Sequence, residues 1–220
     1  MLDGLRLRLD TFPRGALGRR ISSHRYHPMP WLALPGSYGA EWTPQRWSEI
    51  CPVIEEVAAA SGLDGGCNAG FLTLSLGERG IPVVGIESDP ASFRIAVAAR
   101  EAAGLDNVGF LAMHVDPDTV QVLPHADAVI FLSVWHHMVH AWGVETAEQV
   151  LRDIWQRTGK VLFFETGENE MPASFGVPYM KDPTVWVTQL LERSCPGATV
   201  RSLGRHPSLA PGGSEHTRGM

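Results

Sequence analysis

A short strand-like run ends at Asp64. It passes into the glycine-rich turn Gly65-Gly66-Cys67-Asn68-Ala69-Gly70 and then into the helical stretch Phe71-Leu72-Thr73-Leu74-Ser75-Leu76. A turn of this kind between strand and helix lets a ligand approach the backbone closely, which a Cβ at Gly66 or Gly70 would prevent. A second apolar run, Val83-Val84-Gly85-Ile86, closes on Glu87, 23 positions after Asp64. That separation suits one β-turn-α-β unit whose second strand carries a carboxylate at its tip, where it can accept both hydroxyls of a ribose. Because the second residue after Gly66 is Asn68, the turn is not the dinucleotide fingerprint G-x-G-x-x-G. No G-K-[ST] follows either, so a nicotinamide enzyme is disfavoured and a P-loop is excluded.

The rest of the chain fits around this unit. Short apolar runs alternate with helical stretches, and the runs are continuous rather than polar-alternating, as strands covered on both faces should be. Strands are expected near 59–64, 81–86, 108–112, 127–133, 159–165 and 198–204, with helices near 70–79, 89–103, 144–157 and 182–193. The reading is an α/β fold with a doubly wound, mostly parallel sheet that binds its ligand at the carboxyl ends of the strands. Ahead of it, Thr43-Pro44 reads as the start of an amphipathic lead-in helix to about Ala60, with Pro52 as a kink point. Residues 1–42 then form a basic arm and a Trp/Pro-rich loop, and residues 43–220 form the main domain. Trp31, Trp42 and Trp47 read either as a lid over the pocket or as packing.

The runs L-D-G-G-C-N-A-G and V-V-G-I-E-S-D-P resemble the first two motifs of the class I S-adenosylmethionine-dependent methyltransferases, over roughly residues 43–205. The resemblance implies a Rossmann-like methyltransferase fold with S-adenosylmethionine as cofactor. Asp64, Gly66, Cys67, Asn68 and Gly70 would hold its methionine part, Glu87 the ribose and Asp116 the adenine amino group, with Ser133 beside them after strand four. Asp116 also reads as an ordinary turn aspartate. The later run L-S-V-W-H-H-M-V-H is similar to the methyltransferase half of bacterial O-antigen chain-terminating kinase/methyltransferases, and more distantly to RNA 5'-phosphate methyltransferases.

Methyl transfer from a sulfonium is an in-line displacement, so the protein mainly aligns the acceptor and supplies a compatible field. A phosphate or carboxylate acceptor needs no base, whereas a hydroxyl does. His136 and His137 at the tip of strand four are candidates for that role, with packing against the next helix as the alternative. Glu165, closing strand five, is a candidate for orienting the acceptor or a neighbouring histidine. Glu168 and Glu170 read as solvated, and Tyr179, Met180 and Lys181 have no fixed place. His136 and His140 share a helical face, but no metal-binding pattern accompanies them and no metal is expected.

Composition narrows the partners. Residues 1–27 hold six arginines and two acids, a local +4 within a chain of net charge −6, so a non-specific polyanion binder is disfavoured even though the arm could touch phosphate. A small-molecule or saccharide acceptor is expected ahead of nucleic acid. Three cysteines without a CxxC pair suit a reducing cytoplasm, and no run is long and apolar enough to span a membrane. Two departures from the resembled family stand out. Gly65 and Gly62 remove side chains from the first strand, and after Arg205 no apolar strand is evident, so the chain is expected to stop where the last antiparallel strand should begin. A catalytically silent binding domain is the reading that these departures favour.

Overall fold

The computed structural model describes residues 27–33, 42–168, 171, 182–209 and 215–220. The basic arm through Arg25, the loop residues Leu34 and Tyr38, Glu170, and the segment with Tyr179, Met180 and Lys181 lie outside the described residues.

Five strands form a parallel sheet: β1 (Gly62–Gly65), β2 (Val83–Glu87), β3 (Val108–Ala112), β4 (Ala126–Leu132) and β5 (Thr158–Glu165). Their order is β3-β2-β1-β4-β5, so β1 is central, with Asp64 in register with Gly85 on one side and Ile130 on the other. The order reverses between β1 and β4, and a crevice opens at such a switch point, at the carboxyl ends of the strands. Helices α1 (Trp42–Glu56), α2 (Phe71–Glu78), α3 (Pro90–Ala103), α4 (Trp135–Gln156) and α5 (Pro183–Ser194) cover the sheet. Among the described residues no helix is long and apolar enough to cross a membrane.

Both faces are buried, which is why the strands read as unbroken apolar runs. Along β4, Val129 and Phe131 enter one core with Leu63, Trp135 and Leu151, while Ala128 and Ile130 enter the other with Ile50, Leu74 and Phe163. Helix starts follow local chemistry. Asp89 caps α3 by accepting from Ala91 N and Ser92 N, and Asp182 caps α5 through Thr184 N and Val185 N, each with proline at the first helical position.

Four expectations are corrected. The helix before β5 begins at Trp135 rather than near 144 and contains a break at Gly143 (φ 81°, ψ 167°), a left-handed conformation that glycine tolerates. Trp135 Nε1 donates to Ala147 O across that break at 2.9 Å, joining its two halves. Residues 198–204 form no strand. The sixth strand is β6 (Arg205–Leu209), paired antiparallel with β7 (Glu215–Gly219) in a two-stranded sheet of its own. The antiparallel pair thus exists where none was expected, since polar residues joined by a backbone ladder leave no apolar signature. Finally, the glycines of β1 do not leave it poorly packed. A Cβ at Gly65 would lie 3.0 Å from the Phe131 ring, and one at Gly62 would lie 3.0 Å from Val83 Cγ2, so neighbouring side chains already fill that space.

Candidate active site

A cleft of about 610 Å³ opens at the carboxyl ends of the strands. Its floor is the turn after β1. Gly66 (φ 75°) and Asn68 (φ 52°) are left-handed there, and a Cβ on Gly66 would fall 2.5 Å from Val134 Cγ2, so only glycine fits. Asn68 supports its own turn, its Oδ1 accepting from Ala69 N at 2.7 Å. Gly70 does not line the cleft; it starts α2 from a left-handed conformation (φ 85°).

Glu87 braces this floor. Its two carboxylate oxygens accept one backbone N–H each, from Asn68 at 2.8 Å and from Asp89 at 2.6 Å. A carboxylate oxygen has two acceptor sites, so both oxygens can still receive a hydroxyl from the cleft, which Glu87 lines. Asp64, 3% exposed, accepts from Thr73 Oγ1 at 2.6 Å, and burial pushes its carboxyl up to about 7. Cys67 lines the cleft, and burial raises its thiol well above the ordinary range.

Asp116 lies elsewhere. Its carboxylate accepts from Asp118 N, Thr119 N and Thr119 Oγ1, which close its own turn and hold its pKa below the usual carboxylate range. Met113, His114 and Val115 line the cleft in its place.

The rest of the wall is formed by His27, Thr43 and Arg46 from the start of the described chain and by Ser133, Val134, His137 and Trp142 from the tip of β4 and the helix after it. Trp31, Trp42 and Trp47 are not part of it. Trp31 packs at a tilt against Phe71 and donates to Glu78 at 2.6 Å, and Trp42 is buried. His137 is exposed to the cleft, with its ring centroid 4.1 Å from that of His136. His136 is packed beneath Gly167, its Nδ1 has no hydrogen-bond partner among the described residues, and burial, then His137 and Arg218, push its pKa down to about 3. It is therefore neutral at physiological pH.

Glu165 is fully buried and sits behind this wall. One of its oxygens accepts from Arg46 Nε at 2.9 Å and faces Arg46 Nη2 at 2.8 Å. The other accepts from Ser133 Oγ at 2.5 Å and lies 3.7 Å from Arg218 Nη1, which itself donates to Ser133 Oγ at 3.0 Å. Ser133 is held left-handed (φ 57°) by this network, a strained backbone at the tip of β4. Sequence reasoning missed Arg46 and Arg218, which come from α1 and β7. Glu168 also departs from expectation. It is 4% exposed, pairs with Arg205 at 2.6 Å and accepts from Gly219 N at 2.7 Å, latching the hairpin to the end of β5.

A parallel sheet with this switch point, a glycine turn braced by an acid at the tip of β2, and a cleft beside both give the chain the Rossmann-like fold of the class I methyltransferases. No family model matches it. It is similar to the O-antigen chain terminator bifunctional methyltransferase/kinase WbdD of Escherichia coli, 30% identical over 152 residues, which is 66% of this chain and 21% of WbdD. The chain thus spans about a fifth of that relative's length. A crystal structure of WbdD superposes with a TM-score of 0.66 at 23% identity, covering 88% of this chain and 41% of the other. Magnesium protoporphyrin IX methyltransferase (ChlM) from Synechocystis PCC 6803, solved with bound S-adenosylmethionine, superposes with a TM-score of 0.63 at 16% identity, covering 100% of this chain and 97% of the other.

Proposed function

We propose that the chain transfers a methyl group from S-adenosylmethionine, in line, to an oxygen of a small-molecule, saccharide or phosphate acceptor. The observation that carries this reading is the double use of Glu87, which holds the turn at Asn68 and Asp89 while facing the cleft with acceptor sites matched to a vicinal diol. Met113, His114 and Val115 wall the space beyond it, where a flat base would lie. Asp64, Gly66, Cys67 and Asn68, which line the cleft, would take the methionine side of the cofactor. When bound, the cofactor supplies an electrophilic sulfonium methyl group.

The acceptor would enter over the tip of β4, between Ser133, Val134, His137 and Trp142. A phosphate or carboxylate oxygen there is nucleophilic as it stands, so the wall only has to orient it. A hydroxyl needs a base, and His137, the exposed imidazole beside the tip of β4, would take its proton. Glu165 is a positioning residue, because it reaches the cleft only through Arg46 and Ser133. The similarity to an O-antigen chain terminator directs the first acceptor trials toward glycans and their phosphorylated ends. The three free, buried cysteines suit a reducing compartment, and we place the protein in the cytoplasm.

Calorimetric titration with S-adenosylmethionine and S-adenosylhomocysteine tests the reading. Micromolar binding, weakened about a hundredfold in Glu87→Ala, is the expected result, because two charge-assisted hydrogen bonds are lost. A folded wild type that binds neither compound would overturn it. Transfer of labelled methyl to hydroxyl- and phosphate-bearing acceptors then separates the acceptor classes.

A further inference from the structure

The tip of β4 carries a hydroxyl whose direction is set from behind. Ser133 lines the cleft and is partly exposed, and its Oγ has one hydrogen and two acceptor sites. The hydrogen is committed: Oγ donates it at 2.5 Å to Glu165, a buried carboxylate paired with Arg46 and so able only to accept. One acceptor site is taken by Arg218 Nη1 at 3.0 Å, a group able only to donate. What Ser133 has left for a ligand is one lone pair, so it can receive a hydrogen but cannot give one. A hydroxyl of the acceptor meets that condition, whereas a phosphate or carboxylate oxygen without a hydrogen would set lone pair against lone pair.

The charge of the lining points the same way. Among the described residues that line the cleft there is no lysine, and Arg46 is the one arginine. Its Nε and Nη2 face Glu165 at 2.9 and 2.8 Å, and its Nη1 donates to the Trp42 carbonyl oxygen at 3.4 Å, so it is engaged within the protein. His27 is neutral, its pKa brought down to about 4 by burial and then by Arg46, while Asp64 and Glu87 add carboxyl groups. An anion placed there would lose its water without gaining a dedicated guanidinium.

Resting on the methyltransferase reading and narrowing it, we propose that the acceptor presents an uncharged hydroxyl and that Ser133 selects it, accepting a hydrogen bond from that hydroxyl at the tip of β4. Glu165 and Arg218 are positioning residues, which fix the direction of the Ser133 hydroxyl.

The test titrates the full chain, saturated with S-adenosylhomocysteine, with methyl glucoside and benzyl alcohol as hydroxyl probes and with benzoate, phenyl phosphate and inorganic phosphate as anions. Amide NMR shifts of Ser133 and Val134 follow each titration. The expected result is saturable shifts with the hydroxyl probes and affinities at least tenfold weaker for the anions. Tighter binding of any anion, or no saturable shift with either hydroxyl probe, overturns the proposal. Ser133→Gly suits the left-handed backbone and removes the lone pair, so hydroxyl binding should fall about tenfold with the anions unchanged. Glu165→Gln reverses the polarity: its amide oxygen would face Arg46 and its NH2 group would donate to Ser133 Oγ, turning the hydroxyl hydrogen toward the cleft. Anion affinity should then rise, and the preference for hydroxyls should shrink about tenfold. The wild-type preference in a Glu165→Gln protein shown to be folded by thermal unfolding overturns the proposal, as does unchanged hydroxyl affinity in Ser133→Gly. Should Glu165→Gln not fold, Ser133→Gly decides alone. A wild type that does not bind S-adenosylhomocysteine overturns the methyltransferase reading, and the same titrations on the ligand-free chain then still read the polarity of Ser133.

Discussion

Arg218 of β7 donates to Ser133 Oγ at the tip of β4 at 3.0 Å, joining residues 85 positions apart at the one left-handed non-glycine residue of the cleft's β4 rim. The hairpin is thereby part of the site rather than an appendage to it.

Arg218→Met breaks this bond and removes a cation from beside the buried Glu165 carboxylate. The expected loss is about 2–4 kcal/mol, a fall in melting temperature of roughly 8 °C for a chain of this size. Arg218 also helps depress the His136 pKa, so imidazole NMR titration should show that value rising in the variant.

Asp64 gives a pH signature. Its folded pKa, about 7, is raised above the ordinary value of 3.8, so the folded state prefers the protonated acid. Its contribution to stability is full below about pH 4, is lost as pH rises toward 7, and stays lost above that. Asp64→Asn should therefore flatten the stability profile between pH 4 and 7. It should also raise the melting temperature at pH 8 by on the order of 5 °C in the ligand-free protein. Scanning calorimetry of both proteins across that range is the measurement.

The histidines act in the opposite sense. His27 and His136 have folded pKa values of about 4 and about 3, below the ordinary 6.5, so their neutral forms support folding above pH 6.5 and that support is lost as pH falls through the folded values. His136→Phe should reduce the loss of stability between pH 6 and 4 relative to wild type, as read by denaturant midpoints at fixed pH.

Gly66→Ala adds a Cβ 2.5 Å from Val134 Cγ2 at a positive φ. S-adenosylhomocysteine binding should weaken at least tenfold as the turn shifts. Adding Val134→Ala removes the overlap but not the conformational cost, about 1 kcal/mol, so affinity should recover only in part. A calorimetric double-mutant cycle reads both effects.

The glycine-turn half of the cleft is legible in the sequence because its requirements are local. A left-handed turn demands Gly66, tolerates Asn68, and stands a fixed distance before a strand-ending acid. The other half is not. Arg46 meets Glu165 119 residues away, and no periodicity or spacing marks a pair of that kind. Asp116 shows a local signal that fits two roles, since Val-Asp-Pro-Asp-Thr describes the side-chain-closed turn that forms as well as an adenine contact. The hairpin went unread because Arg205-His206-Pro207-Ser208-Leu209 is polar and anchored by ion pairs. Its one textual trace, Gly212-Gly213 between the strands, lies outside the described residues.

The latch between Glu168 and the hairpin ties the last strands of the chain to the end of β5, behind a cleft whose lining has two origins in the sequence. One part of the cleft lining comes from a single continuous stretch, from Asp64 to Val115, whereas the rest is assembled from α1, β4 and the helix that follows it, with support from β5 and β7. Substitutions in those scattered pieces can reshape their side of the cleft while leaving the glycine turn and its bracing acid intact.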